Sequence, residues 1–277
     1  MFDNFLIAIK GGGDIATGVA WRLYQSGFPV FITERESPLV VRRAVAFAQA
    51  VFYGETIIEG VKAVRVDSIE NIFPTVNEGN IPVIVDPEAV SIKTLKPDAV
   101  IDAIMNKNNT GTKKSDAKMV IGLGPGFKAG KDVHMVVETK RGHDLGRLIR
   151  KGNARKDTGV PSKVLGYTHD RLLLAPCSGF VKRVKEIGEY IYPEEVICMV
   201  NDAPVVSKIE GVLRGIVHDG VFLEHNDKLG DVDPRGIRSY CFTISDKSLA
   251  VAGGVIEGIL SCLNIKRSHM LNKECKR

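Results

Sequence analysis

Short, almost wholly apolar runs alternate with glycine-bearing turns over the first half of the chain. Residues 5–10 (Phe-Leu-Ile-Ala-Ile-Lys) end on three glycines. A helical pattern follows to about Ser26, and a second apolar run starts at Val30 after the Gly27-Phe28-Pro29 break. Strand, glycine turn, helix, strand is the order of a βαβ unit. A further helix is predicted from Pro38 to about Phe52, since proline suits a first helical turn. Apolar runs at 81–85, 99–104, 119–121 and 133–137 read as more short strands. Their near-uniform apolarity is that of strands covered by helices on both sheet faces. Residues 1–151 are therefore expected to form an α/β domain with a mainly parallel sheet.

The pattern changes near residue 152. Residues 152–161 are polar and contain glycine, as in a linker, and short β-type runs follow. A weak repeat lies within them: Gly179-Phe-Val-Lys-Arg-Val-Lys-Glu-Ile-Gly188 aligns with Gly211-Val-Leu-Arg-Gly-Ile-Val-His-Asp-Gly220. Each copy is followed by an apolar residue three positions on, Ile191 or Leu223. Two such arms read as a biotinyl/lipoyl-like hammerhead β-barrel over 162–236. The connection between them, Val200 to Lys208, has no lysine at its tip (Asn201 to Pro204), so the module is expected not to carry a covalent cofactor. Residues 237–277 are expected to supply a C-terminal helix and a basic tail, with Gly253 and Gly254 weakening the helix near its start.

The chain has 277 residues, 44% hydrophobic and 26% charged, enough for about two domains with a full core. Its net charge of +5 is uneven: Lys266 to Arg277 hold five Lys/Arg and one Glu, leaving +1 for the remainder. A second basic stretch, Lys140 to Lys163, carries eight Lys/Arg against two Asp and is placed to face an anionic ligand. Without aromatic interleaving it does not read as a nucleic-acid surface. No apolar run reaches the roughly 18 residues of a membrane span. No signal peptide is recognisable at the N-terminus. The five cysteines are widely spaced with no C-x-x-C pair, which excludes an obvious zinc or disulfide framework; a reducing cytoplasm is expected.

Gly11-Gly12-Gly13-Asp14-Ile15-Ala16 fits G-x-G-x-x-A between a strand and a helix. Such a turn lets backbone approach a pyrophosphate at a helix N-terminus. Glu34, 21 residues after Gly13, stands where an acid accepts hydrogen bonds from ribose hydroxyls. Asp14 argues against the simplest dinucleotide mode and has a helix-capping role as an alternative. Arg42 and Arg43 are candidates for an anion, Lys107 lies in the polar loop after the strand at 99–104, and Gly124 and Gly126 sit in a glycine-dense turn able to form an anion nest. Thr17 joins Gly11, Gly12 and Gly13 around a phosphate. His134 and His143 are candidate acid/base groups and Cys177 and Cys241 candidate thiols, each with burial or structure as the alternative. No catalytic residue is assigned, and no metal ligands are expected.

Several segments together resemble one family: Gly11 to Gly18, Pro38 to Phe47, Asp102 to Lys107 with Gly111-Thr112, Gly122 to Phe127, Glu138 to Gly146, Lys228 to Arg235, and Ser245 to Lys247 with Gly253-Gly254. They are similar to the YqeB family of the selenium-dependent molybdenum hydroxylase system, whose members are distantly XdhC-like. The resemblance implies a Rossmann-like N-terminal domain and an accessory role in hydroxylase maturation. Taken with the glycine motif, it leads to an expected nucleotide or pterin-phosphate ligand, the molybdenum cofactor or NAD(P) being the candidates. The implied partners are the hydroxylase or another maturation protein. Whether the chain is an enzyme is left open, and an NAD(P)-dependent oxidoreductase is the alternative.

Overall fold

The computed structural model describes residue 2 and residues 4–274, with side chains up to residue 263. The basic tail from Lys266 and Cys275 lie outside the described side chains. The first half contains strands β1 (Ile7–Lys10), β2 (Val30–Glu34), β3 (Glu55–Ile58), β4 (Val61–Val66), β5 (Ile81–Val85), β6 (Ala99–Asp102), β7 (Met119–Leu123), β8 (Lys128–Ala129), β9 (Met135–Val137), β10 (Leu148–Ile149) and β11 (Gly152–Asn153). Its helices are α1 (Asp14–Gln25) and three short ones, α2 (Ala50–Tyr53), α3 (Ile72–Asn77) and α4 (Val90–Leu95). Nine strands form one sheet in the order β10-β9-β7-β6-β1-β2-β5-β4-β3; β8 and β11 pair separately.

The sheet is mainly parallel, with antiparallel pairing only at its two edges, but the expectation of a Rossmann-like domain is corrected by its topology. In a Rossmann sheet the third parallel strand neighbours the second. Here β5 lies between β2 and β4, and both edges are antiparallel, β3 on β4 and β10 on β9. The connection from β6 to β7 carries only a 3-10 turn at Lys114–Asp116. The missed edge hairpin turns at Glu59 and Gly60, both at positive φ (44° and 80°). Two such residues make the tight turn that matches strand twist, but Glu-Gly lacks the usual Asn or Asp.

Alternation along β1 divides the core between the sheet's faces. Ile7 and Ile9 join one cluster with α1, while Leu6 and Ala8 join another with Phe31, Ile92 and Val133. The first face is closed by α5 (Asp246–Glu274), the helix from the end of the chain. Val251, Ala252, Val255 and Ile259 are fully buried there. Two glycines allow this: a Cβ on Gly254 would strike the Gly146 carbonyl, and one on Gly18 would lie 2.5 Å from Ser248 Cβ.

The continuous helix predicted from Pro38 to Phe52 is also corrected. The segment forms 3-10 turns at Arg43–Val45 and Phe47–Gln49 before α2, with Ala46 extended between them. Tertiary hydrogen bonds explain the break: Ala48 N–H donates to the Gly12 carbonyl at 2.9 Å, and Phe47 N–H donates to Thr17 Oγ1 at 2.8 Å. The segment is strapped over the glycine turn instead of coiling on itself.

The second half holds β12 (Leu172–Leu174), β13 (Gly179–Arg183), β14 (Tyr190–Ile191), β15 (Val196–Val200), β16 (Ala203–Val206), β17 (Gly211–Ile216), β18 (Phe222–Leu223) and β19 (Lys228–Asp233). The expected hammerhead β-barrel is corrected to two four-stranded antiparallel sheets, β12-β19-β17-β14 and β16-β15-β13-β18, around one apolar core. The repeated arms exchange strands: β14 of the first pairs with β17 of the second, and β18 of the second pairs with β13 of the first. The β15–β16 turn is Asn201-Asp202, and Lys208 lies beyond β16.

Candidate functional site: a two-compartment crevice

The carboxyl ends of β1, β2, β5 and β6 open towards the second half. The first compartment there, a cavity of about 590 Å³, is lined by Gly11, Gly13, Asp14, Glu34 and Arg42 among the sequence candidates. Lys10, Asp86, Leu39, Val40, Ile104 and Met105 complete much of its wall. Gly11 makes the turn at φ 89°, its α-carbon facing the backbone of Ile104. Gly13 precedes the first residue of α1, so the capping position falls to it and not to Asp14. Asp14 instead pairs with Arg42 at 3.4 Å.

The glycine turn is engaged from within the protein. Gly12 N–H donates to Glu34 Oε2 at 2.7 Å, and Arg35 N–H donates to Glu34 Oε1 at 2.8 Å. Burial pushes the Glu34 carboxyl above its ordinary value, although these two hydrogen bonds pull it down. Gly12 is buried; its carbonyl also accepts from Thr17 Oγ1 at 3.2 Å. Thr17 is fully buried and serves the strap, not a ligand. A carboxylate thus occupies an N–H that a phosphate would need.

Four other candidates lie elsewhere. Arg43 donates to the Ile216 carbonyl at 3.1 Å and to Glu186 at 3.0 Å, fastening the strap to the second half. Lys107 is exposed and pairs with Asp157 at 3.0 Å. Gly124 N–H donates to the Val137 carbonyl at 2.8 Å, which removes it from any anion nest. Gly126 packs against the backbone of Lys107 and Asn108.

Beneath the first compartment lies a polar cluster that the sequence reading did not single out. Lys10 Nζ donates to Thr112 Oγ1 at 2.6 Å, Thr112 Oγ1 donates to Asp102 Oδ2 at 2.5 Å, and Lys10 and Asp102 are 3.8 Å apart. All three residues are buried. The signal for it was positional: Lys10 and Asp102 end adjacent parallel strands in register.

The second compartment, about 800 Å³, continues from the first past Asp14, Arg42 and Met105. Its wall brings Arg141 and Lys163 from the basic stretch together with Arg171, Arg214, Lys228, Arg235 and Lys247. Asp231 and Asp233 organise the guanidinium groups. Asp231 accepts from Arg171 at 2.6 and 2.7 Å, and Asp233 accepts from Arg214 at 3.0 Å and Arg235 at 2.6 Å. Burial works to raise Asp233, but the Arg235 hydrogen bonds and the Arg214 charge hold its carboxyl below the ordinary range. Burial lowers Arg214, and the neighbouring Arg42 charge lowers it further. Burial likewise lowers Lys247, against the attraction of Asp14. Arg42, Arg171 and Arg214 each keep a buried Nε–H without an acceptor. The wall therefore crowds like charges at an electrostatic cost that an anion offsets.

His134, Cys177 and Cys241 make structural contacts, while His143 is exposed. His134 Nδ1 accepts from Val120 N–H at 3.0 Å, and burial lowers its ionisation. Burial pushes the Cys241 thiol up, away from thiolate chemistry, and the thiol of Cys177 faces the Val200 carbonyl at 3.5 Å. Among the described residues no group of three or more His, Cys, Asp or Glu is placed to hold a metal ion. No described helix is long and apolar enough to cross a membrane.

No protein-family model matches the sequence. Solved structures with related outlines include a succinylglutamate desuccinylase/aspartoacylase from Rhodobacter sphaeroides, 13% identical, covering 83% of this chain and 85% of that one with a TM-score of 0.26. An aspartoacylase family protein from Mesorhizobium loti is also 13% identical, covering 82% and 84%, with a TM-score of 0.27. Overlaps this loose carry no argument about fold or activity. The uncharacterized protein YqeB of Escherichia coli is 42% identical over 259 residues, or 94% of this chain. The chain spans about half the length of that curated relative (48%). At that identity, across nearly all of its own residues, the chain is a relative of YqeB.

Proposed function

We propose that the chain acts as an accessory factor in the maturation of a molybdenum hydroxylase of the selenium-dependent type, holding a nucleotide or pterin-phosphate ligand in the crevice between its halves. The observation that carries the ligand part is the excess of cations on the second compartment's wall, where Arg42, Arg171, Arg214, Arg235 and Lys247 converge. Arginine forks and lysine ammonium groups are the usual partners of phosphate oxygens. The biological setting rests on the resemblance of the motif segments, and kinship with YqeB supports the family alone. An NAD(P)-dependent oxidoreductase is disfavoured by Glu34 on Gly12 N–H, where such an enzyme binds pyrophosphate.

The test is native mass spectrometry of the chain purified gently from a host that expresses the hydroxylase system, paired with hydroxylase activity in cells lacking the chain. A retained pterin or nucleotide mass, together with an inactive hydroxylase in the deletion strain, is the expected result. Full hydroxylase activity without the chain would end the maturation reading.

A further inference from the structure

The two compartments differ in the chemistry they offer. Around the first, Glu34 and Asp86 present carboxylate acceptors beside apolar walls from Val40, Ile104 and Met105. Lys10, Arg35 and Lys228 also reach this wall, so its cations and carboxylates balance, and the chamber suits an organic group that brings hydrogen-bond donors. The second carries an excess of cations. Its arginines are largely committed to Asp231 and Asp233, but Lys163 and Lys247 have no carboxylate within ion-pair distance among the described residues. Lys163 is exposed and Lys247 half-buried, so both charges are free for a ligand.

We infer that the ligand is an organic phosphoanhydride whose head lies against Glu34 and whose pyrophosphate group lies beyond Arg42, against Lys163 and Lys247, and not on the glycine turn. The inference rests on the anionic-ligand reading above and assigns each part of the ligand a place. Two observations support the reversal. The Gly12 N–H is already held by Glu34, at 2.7 Å. The passage between the compartments runs past Asp14 and Arg42, paired at 3.4 Å, so a ligand spanning both passes beside a guanidinium at the point where its charge begins. The eight cations of this wall exceed Asp14, Asp231, Asp233 and Asp246 by four charges, and a pyrophosphate, with roughly three negative charges against about two for a single phosphate, matches that excess more nearly.

The experiment is calorimetric titration of the full chain with inorganic pyrophosphate, inorganic phosphate, and the diphosphates ADP, GDP and CDP. Pyrophosphate is expected to bind at least about tenfold more tightly than phosphate, and more weakly in high salt. Lys247→Gln and Lys163→Gln are each expected to weaken pyrophosphate about tenfold, the scale of one charge-assisted hydrogen bond. Lys182→Gln, an equal charge loss on an exposed strand position of the second half, is expected to leave it unchanged. Lys163 lies on an exposed loop, so its variant tests the site even if Lys247→Gln fails to fold. At least one diphosphate is expected to bind more tightly than pyrophosphate, with that gain reduced by Glu34→Gln. Pyrophosphate binding no tighter than phosphate, or indifferent to both lysines, overturns the assignment of the tail. The assignment of the head falls if no diphosphate exceeds pyrophosphate. A chain that matures hydroxylase while its pyrophosphate affinity ignores both lysines defeats this inference alone. Pyrophosphate held through the lysines by a chain dispensable for maturation supports it and defeats the maturation reading.

Discussion

The two walls of the crevice satisfy their carboxylates in opposite ways. On the sheet side, Glu34 accepts backbone N–H groups and Asp86 accepts Val90 N–H, Ser91 N–H and the Ser91 hydroxyl, and of these acids only the deeper Asp102 is paired to a cation, Lys10. On the far side, Asp231 and Asp233 accept from arginines. An acid bonded to neutral backbone adds negative character to its surroundings. An acid bonded to two cations leaves a net positive one. Carboxylates thus make one compartment acceptor-rich and orient the cations of the other, and residue type alone does not tell these uses apart.

The Lys10–Asp102 pair beneath the sheet wall is buried on both sides, so breaking it is expected to cost stability most. Asp102→Ala leaves Lys10 buried without its carboxylate and is expected to destabilise the fold by about 3–5 kcal/mol. A shift in urea midpoint worth less than about 1 kcal/mol would erase the contrast between the walls. Glu34 offers a finer test through pH. Its folded value is raised above the model-peptide 4.5, so the folded state binds the proton more tightly than the unfolded state. Stability attributable to it is therefore greatest at low pH and falls as pH rises from about 4.5 through the raised value. Glu34→Gln is expected to flatten that part of a stability-against-pH profile; an unchanged slope would place the titration elsewhere.

The smallest effect is expected at the rim of the second compartment. The hydrogen bonds from Arg141 hold the Asp246 carboxyl at about 2, below the ordinary 3.8. Its stabilisation is present above the ordinary value and is lost as pH falls towards about 2. The Asp246 side chain is 73% exposed, so solvent screens the pair. Asp246→Asn is expected to cost less than about 1 kcal/mol at neutral pH, and less again in high salt. Thermal unfolding at two salt concentrations checks this, and a larger, salt-insensitive loss would mean the rim is as rigid as the sheet wall.

Legibility in the sequence followed the range of the forces involved. The strand, turn and helix from Ile7 to Gln25 were readable because apolar periodicity and glycine conformation act locally. So was the pairing of like arms around Gly179 and Gly211, which emerges as exchanged strands. The strap at 43–49 was misread as a helix because its hydrogen-bond partners, Gly12 and Thr17, are about 30 residues away. For the site, the glycine turn pointed to the crevice but not to its phosphate-friendly side. Arg42, Arg171, Arg214 and Lys247 are spread over some 200 residues, and no spacing rule joins them. The Lys140 to Lys163 stretch was informative only as a density of charge, two of whose members, Arg141 and Lys163, reach the wall.

The return of α5 to the first sheet sets an order of events during synthesis. Ile7, Ile9 and Ile121 share a core with Val251, Val255 and Ile259. The part of that face not covered by α1 stays open until the ribosome has passed residue 259, whereas the buried core of the second half lies within residues 173–241, with Val41, Ala44 and Phe52 packed against it. Between the synthesis of α1 and that of α5 the nascent chain therefore exposes this apolar strip, and the later half is able to bury its core before the earlier one. Chaperone protection is most needed over that interval, and truncation within α5 is expected to disable strands made well before it.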